Sequence, residues 1–234
     1  MELSKRLQAV ASLVTTGYKI ADIGTDHAYI PIYLVENGSV PSAVAMDIHA
    51  GPLKRAEEHV RSHDLEEKID LRLSDGMEQI APGEVQCAVI AGMGGSLMIH
   101  ILERARETVY CLKECILQPQ SEIAKVRAFL LQEGFLFIQE EMVEEDGKYY
   151  PMMKVVPGGG RQEKQWNETE LQYGRLLLEK QNQELYRFLK KEIAIKQQIL
   201  KQLEQTDSKR IQTRKEQLKR ELVRAEKGMK YYAL

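Results

Sequence analysis

Three aspartates stand at or beside the ends of short apolar segments in the first third of the chain. They are Asp22, Asp47 and Asp75, and Gly92 follows a fourth such segment. If the segments are parallel strands, their carboxyl ends line one crevice. A carboxylate after the second strand can accept hydrogen bonds from ribose hydroxyls. A carboxylate after the third strand can accept a hydrogen bond from an adenine amino group. A lone aspartate there is usually a turn or helix cap, but the consecutive order predicts a nucleoside site.

The turn after the first segment narrows the ligand class. Residues 22–29 read Asp-Ile-Gly-Thr-Asp-His-Ala-Tyr, and Gly24 lets the backbone approach a ligand closely. The dinucleotide fingerprint needs two further glycines that this turn lacks, and Asp26 would place negative charge beside a pyrophosphate. A Walker A loop is also missing from the sequence. A cofactor without phosphates that carries a sulfonium and an ammonium group tolerates these acids, which indicates S-adenosylmethionine.

Five strands alternate with helices along residues 19–133, at spacings that fit right-handed crossovers and a parallel sheet. The predicted fourth and fifth strands cover residues 85–91 and 115–117, and Ser121 is the predicted cap of the next helix. Two extended segments, 135–144 and 149–156, then flank an Asp-Gly turn, which is typical of a hairpin. The sequence predicts an α/β fold, doubly wound, with a mostly parallel seven-stranded sheet that ends in an antiparallel hairpin.

The chain changes character after a Pro-Gly-Gly-Gly linker at residues 157–160. Residues 1–160 carry 15 basic and 24 acidic groups, whereas residues 161–234 carry 18 basic and 11 acidic groups. We therefore predict a cofactor-binding domain at 1–160 and a helical hairpin or coiled coil at 161–234, which reverses at residues 206–208. The basic half favours an anionic partner such as nucleic acid. The alternatives are a solvated helical surface, a purely structural hairpin and a dimerisation hairpin.

Cysteine content and hydropathy exclude several classes of protein. The chain has an odd number of cysteines, Cys87, Cys111 and Cys115, and their spacing is not that of paired metal ligands. This favours reduced structural thiols and no metal site. No apolar run is long enough to span a membrane, and an apolar signal core is missing at the N-terminus. A cytoplasmic protein without a membrane partner is therefore expected, and its oligomeric state stays open.

The motifs at residues 22–29 and 91–95 (Ala-Gly-Met-Gly-Gly), together with the terminal helical hairpin, resemble the bacterial tRNA (adenine-N1)-methyltransferases of the TrmK family. The resemblance covers almost the whole chain. It implies a class I S-adenosylmethionine-dependent methyltransferase that modifies N1 of adenine 22 in tRNA. By this resemblance Asp22, Gly24 and Thr25 would surround the methionine part of the cofactor, and Gly92 and Met93 would border its methyl group.

The same resemblance assigns the other half of the cofactor to the second and third strand ends. Asp47 and Ile48 would flank the ribose and the adenine ring, and Asp75, Gly76 and Met77 would bound the ring. Relatives that methylate exocyclic amino groups carry an Asn- or Asp-Pro-Pro-aromatic motif after the fourth strand. This chain has neither an amide nor an acid there, which argues against N6 methylation and is compatible with attack by a ring nitrogen.

Catalytic candidates lie in the first turn. Asp26 could stabilise the cationic product ring or accept the N6 proton, but could equally cap the next helix. His27 could bind the cofactor carboxylate, contact the target base or pack under the loop. Tyr29 could stack on the base or belong to the core.

The glycines after the fourth strand and the glutamines after the fifth strand are further predicted substrate contacts. Gln118 and Gln120 could bind substrate or merely satisfy a loop. The complete set of substrate candidates is Tyr29, Gly94, Gly95, Gln118 and Gln120.

Two other functions remain open at this stage. The chain could methylate another RNA or a small molecule, although the basic half argues against a small molecule. It could also be a non-catalytic RNA-binding adaptor that has kept a nucleotide fold.

Overall fold

The computed structural model of the chain describes residues 1–158, 165–203 and 209–233. The chain divides into two compact units, Met1–Glu163 and Lys164–Leu234. The first unit contains the sheet and the acids at its strand ends. The second unit is helical throughout its described elements.

The first unit is built on one sheet. Its strands are β1 (Ile20–Ile23), β2 (Ala43–Asp47), β3 (Ile69–Leu73), β4 (Cys87–Met93), β5 (Glu114–Pro119), β6 (Leu136–Glu145) and β7 (Lys148–Val156). Their spatial order is β3-β2-β1-β4-β5-β7-β6. The first five strands are parallel, and β7 pairs antiparallel with both β5 and β6. This arrangement confirms the predicted doubly wound α/β fold, including its terminal hairpin.

The helices of this unit follow the apolar periodicity of the sequence. They are α1 (Lys5–Ser12), α2 (Tyr29–Glu36), α3 (Ala50–Ser62), α4 (Gly95–Arg104), α5 (Arg106–Cys111) and α6 (Ile123–Gln132). Every residue of β1 is buried, because parallel neighbours flank it on both sides and helices cover the sheet. The carboxyl end of β1 therefore lies at the centre of the sheet's edge, where a ligand meets several loops at once.

The structure corrects several predicted boundaries. Glu122, not Ser121, precedes the first helical residue of α6, and it adopts a left-handed conformation with φ 51°. The Ser121 hydroxyl instead accepts a hydrogen bond from the Gly95 amide at 3.4 Å. The short helix α5 was not predicted. Strand β5 extends through Pro119, two residues beyond its predicted end, because it continues to pair with β4.

The second unit consists of α7 (Glu168–Tyr173), α8 (Arg175–Glu179), α9 (Gln183–Leu203), α10 (Lys209–Met229) and a short 3-10 turn (Lys230–Tyr232). Helices α9 and α10 are antiparallel, because Leu189 packs against Gly228 while Lys196 pairs with Glu221. Buried Leu185, Leu189, Leu218 and Ala225 form the seam. The predicted reversal at residues 206–208 lies outside the described residues.

Helix lengths and polar clusters bear on two further sequence expectations. None of the described helices has the length and apolar content needed to cross a membrane. Within the described ranges, no three His, Cys, Asp or Glu side chains gather as a metal site would require. Cys87 and Cys115 are buried free thiols, and Cys111 is an exposed one.

Candidate active site

A cavity of about 320 Å³ opens where the carboxyl ends of β1 and β4 meet the N-terminal helix. Its lining residues are Arg6, Leu7, Asp22, Gly24, Thr25, Asp26, Tyr29, Ile30, Ala91, Gly92 and Gln120. The structure therefore brings together seven predicted site residues around one space. Three belong to the cofactor set at the β1 end (Asp22, Gly24, Thr25), and the others are Asp26, Tyr29, Gly92 and Gln120.

Asp22 is the buried acid of this cavity, with 7% of its surface exposed. Burial raises the pKa of its carboxyl to about 6; the Thr25 hydroxyl opposes that rise, and the nearby Asp47 carboxylate adds to it. The Thr25 hydroxyl is itself buried and makes no hydrogen bond of good geometry in the described chain. Both polar groups are thus incompletely compensated, as expected for groups that wait for a polar ligand.

The Gly24 turn is held to the neighbouring strand and covered by a methionine. The amides of Gly24 and Thr25 both donate to the Met46 carbonyl, each at 2.8 Å. Gly24 has φ +74°, and a Cβ there would overlap Cε of Met93. The left-handed backbone favours glycine here, and a side chain would also displace the end of Met93. Gly24 lines the cavity, and the Met93 side chain packs directly against it.

The second and third strand ends lie next to each other on the open side of the sheet. The Ser74 amide donates to the Asp47 carbonyl at 2.9 Å, which ties the two loops together. Oδ1 of Asp47 accepts from the His49 amide at 2.7 Å, an aspartate turn that fixes the carboxylate. Ile48 is 53% exposed and offers an apolar face beside that carboxylate. The Asp47 carboxylate is suited to the two ribose hydroxyls, and the Ile48 side chain is suited to the adenine ring.

The residues predicted around the adenine ring differ in what they present. Oδ2 of Asp75 accepts from Arg104 at 2.6 Å, and the same guanidinium also pairs with Glu78. Gly76 has φ +62° and faces Ile101, and Met77 is 2% exposed in the core. The Asp75 carboxylate is therefore at the surface, whereas the Met77 side chain packs inward. Any contact of Gly76 or Met77 with a ring would come from the backbone.

The first turn continues into an aromatic cluster. His27 and Ala28 both have left-handed backbones, with φ 67° and 56°, and α2 begins without a side-chain cap. The alternative that Asp26 caps this helix is therefore wrong. His27 stacks on Tyr29 with ring centroids 5.1 Å apart, and His59 from α3 lies 4.9 Å from His27. Tyr29 is half-buried and reaches the cavity from this cluster.

Asp26 stands at the rim, with its side chain 64% exposed. Its Oδ1 accepts from Nη2 of Arg55 at 2.8 Å and lies 3.4 Å from Nε2 of His27. The other ring nitrogen of His27, Nδ1, is buried without a hydrogen-bond partner in the described chain. Asp26 is thus held by two neighbours, is largely exposed and lines the cavity.

The predicted substrate glycines and glutamines separate into two groups. Gln120 is exposed at the cavity, and its amide is anchored to the Met93 carbonyl at 2.8 Å. Gln118 is fully buried. A Cβ at Gly95 would lie 2.5 Å from the Ser121 carbonyl oxygen and 2.9 Å from Val126, and one at Gly94 would touch the Ser121 hydroxyl at 3.3 Å. Gly94 and Gly95 therefore serve the close approach of α4 to the loop before α6, and Gln118 does not face the cavity.

Arg6 is a charged residue of the cavity that the sequence did not predict. Ser4 caps α1 by accepting from the Leu7 amide, which orients the first turn of that helix. Nη1 of Arg6 donates to Oε1 of Gln118 at 2.9 Å, and its guanidinium lies 5.5 Å from the Tyr150 ring centre. The available signal was a basic residue on the polar side of an N-terminal amphipathic helix, which is too common to single out one arginine.

Comparisons with known proteins agree with this geometry. The sequence profile of a methyltransferase domain family matches residues 3–153. A tRNA (adenine(22)-N(1))-methyltransferase of Bacillus subtilis is 40% identical over 158 residues, which is 68% of this chain and 66% of that protein, just under two thirds of its length.

Two solved structures extend the similarity to nearly the whole chain. The crystal structure of the B. subtilis M1A22 tRNA methyltransferase TrmK is 32% identical, with TM-score 0.81, covering 97% of this chain and 99% of that one. A Streptococcus pneumoniae protein solved with S-adenosyl-L-methionine is 30% identical, with TM-score 0.85, covering 97% and 100%. The similarity therefore includes the helical unit as well as the sheet.

Proposed function

The chain belongs to the TrmK family of tRNA (m1A22) methyltransferases, and from this premise we propose how its own residues direct methyl transfer from S-adenosylmethionine to N1 of adenine 22 in tRNA. The observation that carries the proposal is the single cavity shared by Asp22, Gly24, Thr25 and Gly92. It combines a buried acid, an uncompensated hydroxyl and two positions without a side chain at the ends of adjacent strands.

These residues fit the cofactor that the family uses. Asp22 offers a buried carboxylate to an ammonium group, and the Gly24 turn leaves space for a close approach. Asp47 and Ile48 offer a fixed carboxylate and an apolar face for the ribose and adenine, and Asp75 lies beside them. When bound, S-adenosylmethionine supplies a methyl group on a cationic sulfur.

The protein's task in the reaction is positioning and electrostatics. Adenine N1 already carries a lone pair, so a base is not needed to create the nucleophile. The methylated ring is cationic, and the Asp26 carboxylate at the cavity rim would stabilise that charge or accept the N6 proton afterwards. Arg55 holds Asp26 in position, and Tyr29 offers a ring on which the base can stack. Gln120 is the remaining substrate candidate at the cavity.

A base stacked or paired in folded tRNA must be exposed before N1 can reach the cavity. Such unstacking costs roughly a few kcal/mol. We propose that the helical unit offsets part of this cost by binding tRNA phosphates. Because the proposed substrate is tRNA, we also propose that the enzyme works in the cytoplasm.

One face of α10 supports the tRNA contact. A groove between α10 and the first turn of α7 is lined by Lys219, Arg220, Arg224 and Lys227. Arg224 pairs with Glu168 at 3.3 Å. Lys219, Arg220 and Lys227 are exposed and make no ion pair with a described acidic residue. This set of four residues, the basic stripe, can therefore meet phosphates largely without first breaking internal ion pairs.

One binding measurement and one activity measurement test the proposal against its alternatives. Calorimetry with S-adenosylmethionine should give saturable binding that Asp47→Ala weakens; no binding by the unsubstituted protein would favour a non-catalytic adaptor. Methylation of an unmodified tRNA transcript should require adenine 22, so a transcript with guanine at that position should accept no methyl group. Equal methylation of both transcripts would contradict the substrate assignment.

A further inference from the structure

Arg6 carries an uncompensated positive charge in a cavity that otherwise contains acids. Asp22 and Asp26 line the same space. No ion pair joins the Arg6 guanidinium to a carboxylate within residues 1–158, 165–203 and 209–233. Glu145 is close, but it accepts a hydrogen bond from the Arg6 backbone amide at 3.0 Å, not from the side chain.

The guanidinium is held in place by a polar residue that has no other evident task. Gln118 is fully buried in β5, and its Oε1 accepts from Nη1 of Arg6 at 2.9 Å. Nε2 of Gln118 donates to the Pro119 carbonyl at 3.2 Å, which fixes the amide orientation. The ring of Tyr150 supports the guanidinium at 5.5 Å. Burying an amide in a strand is costly unless it is paired, so Gln118 and Tyr150 together preorganise Arg6.

Donors from two elements converge above Gly92. A Cβ at Gly92 would lie 3.7 Å from Nη1 of Arg6 and 3.7 Å from Nε2 of Gln120. Two nitrogens that carry N–H groups and lie beside the same space can donate to an anionic oxygen there. Gly92 is also the residue that is predicted to border the methyl group, so this space adjoins the reacting end of the cofactor.

We propose that the Arg6 guanidinium binds the carboxylate of the cofactor's methionine moiety while Asp22 receives its ammonium group, an inference that rests on the proposed function. A cavity with one acid and one guanidinium matches the zwitterionic end of an amino acid, and about 320 Å³ accommodates that end of the cofactor. His27, the sequence candidate for the carboxylate, instead directs Nε2 towards Asp26 at 3.4 Å. Arg6 is thus a cofactor-binding residue supplied by α1, and Gln118 is its positioning residue.

A pair of ligands that differ only in the carboxylate tests this assignment. The probes are S-adenosylhomocysteine and its decarboxylated analogue, 5′-deoxy-5′-(3-aminopropylthio)adenosine, titrated into the full chain. Arg6→Gln should raise the Kd of S-adenosylhomocysteine about 10- to 100-fold, because a charge-assisted hydrogen bond is removed. The Kd of the decarboxylated analogue should change by less than about threefold. Arg6→Lys, which keeps the charge but not the fork, should fall between the unsubstituted chain and Arg6→Gln.

Lys5→Gln is the matched control, because Lys5 precedes Arg6 on α1 and directs its ammonium to the Glu144 carbonyl. It should leave both Kd values unchanged. Equal weakening of the two ligands by Arg6→Gln would indicate a structural role and overturn the inference, as would a selective loss of tRNA affinity, which would indicate that Arg6 binds phosphate. If the unsubstituted chain binds neither ligand, the proposed function itself fails. If it binds both with equal affinity, only the Arg6 assignment fails.

Discussion

Oδ1 of Asp26 accepts a hydrogen bond from Nη2 of Arg55 at 2.8 Å, and Asp26 does not cap the helix that follows it. The pair joins the β1 turn to α3, so the carboxylate is held at the cavity rim and not at a helix terminus. Its position beside Tyr29 and Gly24 suits a group that meets positive charge as it develops on a ring held in the cavity. Arg55 is accordingly a positioning residue for Asp26.

Replacing Asp26 by asparagine should separate catalysis from binding. Asp26→Asn keeps the size of the side chain but removes the charge that would stabilise the cationic product, so kcat should fall about 10- to 100-fold. The Kd of S-adenosylmethionine should change by less than about threefold. Single-turnover methylation of tRNA measures the first quantity and calorimetry the second. Glu57→Gln, on the same helix as Arg55, is the control and should retain full activity. Undiminished turnover in Asp26→Asn would remove Asp26 from the mechanism.

Asp22 should lower the free energy of unfolding of the ligand-free protein at neutral pH. Burial raises the pKa of this carboxyl from 3.8 to about 6, so the folded state binds more protons than the unfolded state between those values. The unfolding free energy therefore falls as pH rises through this window, by about 3 kcal/mol in all. Asp22→Asn should be more stable than the unsubstituted chain at pH 7.5, by about 1–3 kcal/mol. This difference should shrink towards pH 4.

Urea unfolding at several pH values measures this effect, and calorimetry should show that Asp22→Asn no longer binds S-adenosylmethionine well. A variant that is less stable at pH 7.5, or whose stability difference does not depend on pH, would contradict the account of Asp22. Increased stability with impaired binding is the pattern expected where a site stores an unfavourable buried charge.

Gly95 should prove to be a packing residue. A methyl group there would meet the Ser121 carbonyl at 2.5 Å and Val126 at 2.9 Å, so Gly95→Ala should destabilise the protein by about 1–3 kcal/mol. Gly51→Ala is the matched control, because its nearest neighbour would be Arg55 Nη1 at 3.9 Å in a helix. It should be neutral or stabilising by up to about 1 kcal/mol. The Tm of each variant, measured by thermal unfolding, tests this prediction. An unchanged Tm of Gly95→Ala together with reduced tRNA affinity would indicate that Gly95 contacts the substrate.

How far the sequence predicted this molecule depends on whether the signal was local. Asp22 and Asp47 were located correctly because strand periodicity and a terminal acid are both visible within a few residues. Gln118 was placed in a loop because β5 was ended at its last apolar residue, and the partner that keeps it buried lies 112 residues away in the chain. Gly95 resembled a ligand cradle because a glycine that admits a ligand and one that admits a neighbouring loop look the same in sequence.

The basic stripe on α10 should account for much of the tRNA affinity. Replacing Lys219, Arg220 and Lys227 by glutamine should weaken tRNA binding at least about tenfold. It should also reduce the slope of log Kd against log salt by roughly one for each phosphate that the variant no longer neutralises. The Kd of S-adenosylmethionine should be unchanged.

A control with the same reduction in charge replaces Lys180, Arg187 and Lys190, which are exposed but lie outside the groove. This triple variant should keep most of the affinity. Equal weakening by both triples would mean that net charge matters and the stripe does not. Unchanged tRNA binding together with a loss of dimers in sedimentation would favour the dimerisation hairpin.

The position of the transferred methyl group tests the central claim most directly. Unmodified tRNA is incubated with the full chain and isotopically labelled S-adenosylmethionine, digested to nucleosides, and analysed by chromatography with mass spectrometry. The account predicts one label per tRNA, recovered as 1-methyladenosine and mapped to position 22, the position named for the B. subtilis relative. Label recovered as N6-methyladenosine under conditions that prevent rearrangement, or on another nucleoside, would contradict it.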